Sequence, residues 1–275
     1  MLKSSASPAH TDSLPHQLLN SLLSVAFPSP CVLCGQDLER TAWGGACEDC
    51  WQALHAWSGP ICHRCGLPLA GSVKEPGYLC GGCRLGAPRF DFARSYGIYS
   101  GRLRAAVLEL KFHQRERLGT RLGSLLLEPW QTLQVAASIL GPALVVPVPL
   151  HRARERERGY NQAGVLAEGF VLALRRRKGG NGPVKIDSRC LVRKRSTTPQ
   201  SGLSLQARSE NVRGVFIASG HVRDQDVVLV DDVMTTGATV SACAAALKRA
   251  GARRVGVLAF ARATPQFPDV TPASL

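Results

Sequence analysis

Two adjacent carboxylates, Asp231 and Asp232, end a short apolar run that begins at Asp226, and Thr235, Thr236, Gly237, Ala238 and Thr239 follow them. An acidic pair can hold sugar hydroxyls or Mg2+. The threonines add hydroxyl donors, and Gly237 lets the backbone approach a ligand closely. An Ala-rich helical stretch from Val240 to Ala250 comes next. Strand, small hydroxyl-rich loop and helix together make a layout that binds phosphate. N–H groups at the helix start point at the anion, and the helix dipole favours its charge. The carboxylates stand at the carboxyl end of the strand, where ligands of open α/β sheets bind. The competing reading is a plain strand-to-helix turn with a threonine cap.

The cysteines carry a second chemistry. Of the ten, eight fall in Cys-x-x-Cys pairs: Cys31 with Cys34, Cys47 with Cys50, Cys62 with Cys65, and Cys80 with Cys83. Zn2+ takes four soft ligands in a tetrahedron, and two such pairs supply them. Eight thiolates make two sites with no open position, so the expected role is structural. Sequential pairing closes the shorter loops and is preferred; a cross-braced arrangement fits the spacing as well. The first unit reads as a knuckle leading into a helix from Trp51 to Trp57, the second, with Gly81 and Gly82, as more of a ribbon. His55 and His63 read as surface histidines. Trp43, Trp51 and Trp57 read as the core of a small module rather than platforms for nucleic-acid bases. Cys190 and Cys243 stand apart, and Cys243, among small apolar residues, reads as a packing cysteine.

A third cluster is basic. Leu144 to Pro149 reads as a short strand entering a rigid turn, followed by His151, alternating charges from Arg152 to Arg158, and Gly159-Tyr160-Asn161-Gln162. Arginine forks match phosphate oxygens in two-point contacts. Such a run is usually a solvated face. Its place at a strand end, the glycine before a helix, and Asn161-Gln162, poor fillers for a core, point to a ligand instead. Arg175 to Lys178 ends that helix and either complements the helix dipole or touches DNA phosphates.

The stretch from Asp226 to Val240 resembles the phosphoribosyl-pyrophosphate (PRPP) signature of type I phosphoribosyltransferases. The resemblance implies that Asp231 and Asp232, the catalytic pair, contact the ribose hydroxyls, and that Thr235, Thr236, Gly237, Ala238 and Thr239 cradle the 5′-phosphate. Pro147 to Arg152, Arg158 to Ala163, Leu191 to Leu203, Arg208 to Phe216, and Lys111 between Leu110 and Phe112 are similar to the ComF family. Its members are competence-associated proteins with a phosphoribosyltransferase-like domain behind a zinc-finger module. This resemblance implies that Arg152, Arg158 and Lys111 join the PRPP site, the Arg-rich turn serving the pyrophosphate with Mg2+. It also implies that Arg195, Thr197, Thr198 and Gln200 lie on a lid loop. The implied role is DNA uptake, processing or recombination in natural competence, with single-stranded DNA and uptake or recombination proteins as partners. The alternative is an active phosphoribosyltransferase (pentosyl transfer, a glycosyltransferase) of nucleotide metabolism with an unidentified acceptor. No nucleobase hood is recognisable outside the zinc module, which weighs against a base-specific transferase.

These groups need a scaffold. The predicted fold is an α/β domain of the type I phosphoribosyltransferase kind with a mainly parallel sheet, preceded by a small double zinc-ribbon or knuckle module. Residues 1–27 form an N-terminal extension, disordered at first, with a short helix around Leu14 to Leu23. Residues 28–90 form the zinc-binding module, 91–263 the phosphoribosyltransferase-like domain, and 264–275 a disordered tail. Expected strands include Ala93 to Tyr99 and Arg254 to Phe260. Expected helices open at Gly101, near Glu116 and at Tyr160, the last running to Lys178. With 34 basic against 20 acidic residues and a net charge of +14, polyanionic partners such as phosphosugars or nucleic acid are favoured. No apolar run spans a bilayer. The stretch from Leu18 to Phe27 is interrupted by Asn20, Ser21 and Ser24 and lacks an Ala-x-Ala cleavage pattern, so a cytoplasmic protein without a signal peptide is expected.

Overall fold

The computed structural model describes residues 30–38, 45–71, 77–137, 143–177, 184–194 and 214–264. The expected N-terminal helix and the tail beyond Thr264 lie outside them. The chain opens with two half-modules, each ending in a short helix, α1 (Glu48–Gln52) and α2 (Gly81–Leu85). Both halves follow one plan. An antiparallel bridge, Pro30 with Asp37 or Ile61 with Pro68, closes the turn that bears the first cysteine pair. The third cysteine, Cys47 or Cys80, then caps the helix. The expectation of a knuckle followed by a dissimilar ribbon is thereby corrected. So is the helix from Trp51 to Trp57, which stops at Gln52. The backbone beyond it is claimed elsewhere: the Trp57 N–H donates to the Tyr96 carbonyl at 2.8 Å, and the Tyr96 hydroxyl donates to the Leu54 carbonyl at 2.5 Å.

The larger domain runs β1 (Phe92–Ile98), α3 (Gly101–Phe112), α4 (Glu116–Ser124), α5 (Leu127–Ala137), β2 (Ala143–Pro147), α6 (Arg152–Arg158), α7 (Gln162–Arg176), β3 (Lys185–Ile186), β4 (Leu191–Arg193), β5 (Phe216–Ala218), β6 (Asp226–Met234), α8 (Ala238–Arg249) and β7 (Arg254–Arg262). Five strands form one sheet in the order β1-β7-β6-β2-β3, and every neighbouring pair is parallel. β4 and β5 make a separate antiparallel pair.

Strand side chains alternate between faces, so the sheet divides the interior in two. Val145, Val228, Val230, Leu258 and Phe260 pack with residues of α3, α4, α5 and α7. Leu144, Val146, Val227, Leu229, Val255 and Val257 pack on the other side with α8 and with Leu191 and Phe216 of the small hairpin. Central parallel strands covered on both faces read as apolar runs, as Val227 to Val230 of β6 and Val255 to Phe260 of β7 do. The metal module straddles the sheet at β1. Cys31 and Cys50 join the first core, and Cys62, Cys65, Cys80 and Cys83 join the second.

On the first face, α4 and α7 meet backbone to backbone. A Cβ on Gly169 would strike the Thr120 carbonyl, so only glycine permits that approach. Beside the crossing, Phe170 meets Trp130 edge to face with centroids 5.6 Å apart. Phe170 is fully buried, so Phe170→Ala is expected to cost about 3–5 kcal/mol of unfolding free energy. Guanidinium titration checks it, and a loss below about 1 kcal/mol would show that this packing is not what holds the helical layer.

Candidate active site and metal centres

The site begins where two strands differ in length. β2 ends at Pro147, opposite Val230, and the Val148 N–H makes the last bond, to the Val230 carbonyl at 2.9 Å. β6 continues along β7, with Asp231 opposite Ala259, Val233 opposite Ala261 and Met234 opposite Arg262. The acidic pair lies toward the carboxyl end of the strand, which runs on past it to Met234, on the stretch whose β2 side has fallen away. Asp226, at the other end of β6, is buried and takes a two-point contact from Arg253 at 2.8 Å to each oxygen.

After β6 the chain turns through Thr235 and Thr236 into α8. Gly237 caps that helix at φ 81°, a left-handed conformation that favours glycine, and a Cβ there would lie 2.7 Å from the Met234 methyl, which would have to move. Thr236 Oγ1 accepts from the Ala238 N–H at 3.3 Å. A cavity of about 220 Å³ opens at this turn, lined by Lys111, Asp231, Thr235, Gly237, Ala238 and Thr239, with Tyr99 beside them. Asp232 is joined to it through Lys111, whose Nζ lies 3.2 Å from the Asp232 carboxylate.

Lys111 is held there by residues that looked like ligand contacts in the sequence. The Tyr160 hydroxyl donates to the Leu110 carbonyl at 2.6 Å, and Gln162 Nε2 reaches the same carbonyl at 3.4 Å. Gln162 is 1% exposed. Asn161 accepts from the Ala163 N–H at 3.1 Å, capping α7, and donates to the Val148 carbonyl at 3.0 Å. This trio ties the end of α3 to the end of β2 and the start of α7. Polar residues directly after Gly159, at a helix start, were the sequence signal for a joint of this kind.

The arginines are placed differently from the acids. α6 has no buried residue, and Arg152 on it is exposed. Arg158 donates to Gln162 Oε1 at 2.9 Å and lies 5.7 Å from the Phe112 ring. Neither lines the cavity. Arg195, Thr197, Thr198 and Gln200 lie outside the described residues. A cation that sequence reasoning missed is Arg193 of β4, set over the Phe216 ring at 5.6 Å.

Burial, and after it the neighbouring Asp232 charge, push the Asp231 carboxyl up to about 8; Lys111, the Asp232 amide and Arg193 oppose the rise. Asp231 is therefore held largely protonated near neutrality. Asp231 can donate a hydrogen bond while Asp232, paired with Lys111, accepts one.

The cysteines form two clusters, Cys31-Cys34-Cys47-Cys50 and Cys62-Cys65-Cys80-Cys83, with all sulfurs of a cluster within 4.8 Å of one another. The preferred sequential pairing is the observed one. Sulfurs about 2.3 Å from a central Zn2+ in a tetrahedron stand about 3.8 Å apart. The separations of Cys31 from Cys50 (3.8 Å), Cys34 from Cys47 (3.7 Å) and Cys65 from Cys80 (3.7 Å) match that edge. Amides of Cys47 and Cys80 donate to Cys31 and Cys62 sulfurs at 3.2 and 3.3 Å, as thiolates require. The donor sets thus fit zinc. His55 and His63 are exposed and belong to neither cluster. Cys243, on α8 itself, is fully buried, as expected of a packing residue.

Comparison with known proteins matches residues 22–86 to a double zinc ribbon domain and residues 158–269 to a phosphoribosyl transferase domain. "DNA utilization protein YhgH" of Salmonella typhimurium is 32% identical over 86% of this chain and 99% of its own length. "Competence protein F" of Haemophilus influenzae is 28% identical over 86% of this chain and 98% of its own. "Competence protein ComFC" of Bacillus subtilis is 24% identical over 74% and 78%.

The Asp231 proton has a consequence for stability. A carboxyl whose folded pKa is raised binds its proton more tightly folded than unfolded. Its stabilising contribution is complete below the ordinary carboxylate range and is lost as pH rises through about 8. Asp231→Asn keeps the acceptor for the Asp232 amide and cannot ionise. It is expected to match the unsubstituted chain in acid and to melt higher in alkali, by about 2–4 °C for each kcal/mol gained. Thermal unfolding across pH reads this directly; a difference independent of pH would refute it.

Proposed function

The chain belongs to the ComF/YhgH family, a double zinc ribbon joined to a phosphoribosyl transferase domain, and from that membership we propose that it binds PRPP with Mg2+ at the end of β6 in the service of DNA uptake, processing or recombination. The observation that supports this reading best is the convergence of an acidic pair, one lysine and a hydroxyl-rich helix start on one cavity. The ribose hydroxyls meet Asp231 and Asp232, a donor beside an acceptor. The 5′-phosphate meets the amides and hydroxyls from Thr235 to Thr239, where the α8 dipole favours negative charge. The pyrophosphate lies toward Lys111, with Arg152 and Arg158 of α6 as further cations and Arg195, Thr197, Thr198 and Gln200 as the lid. Mg2+ bound with the ligand would offset pyrophosphate charge. Zinc in the two cysteine clusters is structural, since four thiolates leave no open position. The names carried by the relatives, DNA utilization and competence proteins, support the biological setting.

A second reading, transfer of the ribosyl phosphate to an acceptor, is favoured by the transferase-domain match that spans the acidic pair. There the bond from the anomeric carbon to pyrophosphate breaks as the acceptor bonds to that carbon, and the chain's contribution is positioning and charge stabilisation.

Calorimetry tests the ligand. The double substitution Asp231→Asn with Asp232→Asn is expected to weaken Mg2+-dependent PRPP binding about 100-fold, the worth of one hydrogen bond to a charged carboxylate and one to a neutral carboxyl. Undiminished binding would sink the site. Pyrophosphate release over a panel of bases, nucleosides and DNA separates the readings: binding without release favours a sensing module, and release with one acceptor favours the transferase. For direct DNA contact, affinity for single strands should fall steeply with salt; a flat response would argue that DNA is reached through partners.

A further inference from the structure

Arg94 of β1 and Arg262 of β7 are 5% and 3% exposed. Neither forms an ion pair with a carboxylate among the described residues. The Nε of each is buried without a hydrogen-bond partner. A guanidinium withdrawn from water with no anion beside it is strongly unfavourable, so these two need a counter-charge.

Both forks reach the same place. Arg94 Nη1 donates to the His63 carbonyl at 3.0 Å, inside the turn from Cys62 to Cys65. Arg262 Nη1 reaches the Cys65 carbonyl at 3.4 Å. Both carbonyls belong to the turn that bears Cys62 and Cys65, so each guanidinium is seated against the second cluster. Zn2+ with four thiolates carries a net charge of minus two, and two guanidiniums balance it.

We propose that Arg94 and Arg262 are the counter-cations of the second zinc centre, so that metal, ribbon and the adjacent strands β1 and β7 form one electrostatic unit. The proposal rests on reading the second cluster as a zinc site. The first cluster is arranged differently. Cys34 and Cys47 are partly exposed, and Arg102, which donates to the Leu33 carbonyl at 2.8 Å, comes from an exposed position on α3. Water screens that centre, whereas the second depends on charges built into the sheet.

Zinc content and release to a chelator test this, with cysteine alkylation mapping which cluster opens. Arg262→Gln and Arg94→Gln keep a side-chain amide donor but lose the charge. Each is expected to release the second metal about tenfold or more faster, with the first metal unmoved and Arg262→Lys close to the unsubstituted chain. A role limited to hydrogen bonding would leave release from the Gln variants unchanged, and that result overturns the proposal. Should those variants not fold, hydrogen exchange on the unsubstituted chain decides. Stripping the second metal should remove protection from Phe92–Ile98 and Arg254–Arg262 while Ala143–Pro147 keeps it; unaltered protection in β1 and β7 overturns the proposal. Zinc-free protein with both strands protected would sink the metal reading and this proposal with it.

Discussion

The pairing of β6 with β7 organises most of what this chain does. From Asp226 opposite Arg254 to Met234 opposite Arg262, the two strands carry each other past the point where β2 has stopped. That overhang lets two carboxylates sit on rigid strand backbone rather than on a loop, and sites on regular elements are held more tightly than sites on connections. On the side that β2 has left, the Asp232 N–H donates instead to the Asp231 carboxyl at 3.0 Å. β7 also delivers Arg262 to the metal ribbon directly opposite Met234, the residue from which the hydroxyl loop departs. The second cysteine cluster and the hydroxyl-rich loop are therefore anchored to the same strand end.

A second constraint sits across the cavity. Lys111 comes from a helix last turn, a place prone to fraying. The Tyr160, Asn161 and Gln162 side chains prevent that by satisfying the Leu110 and Val148 carbonyls. Buried polar groups that are fully partnered rigidify their surroundings, and here the rigidity goes to Lys111, which meets the acidic pair.

How much of this the sequence disclosed depended on what sets each feature. The cysteine clusters were legible because ligand chemistry dictates their spacing. The parallel sheet was legible because doubly covered strands must be apolar throughout, as Val227 to Val230 and Val255 to Phe260 are. The length of β6 was not, because Asp231 and Asp232 interrupt the apolar run while β7 sustains the hydrogen bonds beneath them. The helix expected from Trp51 failed for a related reason: its backbone bonds to Tyr96, a partner far away in sequence. Asn161 and Gln162 were correctly singled out as unusual and given the wrong task, since polar residues unfit for a core serve equally well as ligands or as joints. Arg94, within an expected strand, and Arg262, just past one, carry no sequence signal of this role; it lies in their burial without a carboxylate partner among the described residues.

The position of the ribbon bears on how the chain behaves in a crowded solution. A sheet's outermost strands offer unpaired N–H and C=O groups that can recruit other chains into aggregates. One outer strand here, β3, has only two residues. The other, β1, has seven, and its backbone is engaged by the Arg64 carbonyl and the Trp57 N–H, both from the metal module. The zinc ribbon is thus a molecular bumper. Where the cysteine-bearing module folds against β1, the backbone groups of Ala93 and Tyr96 are closed to other chains.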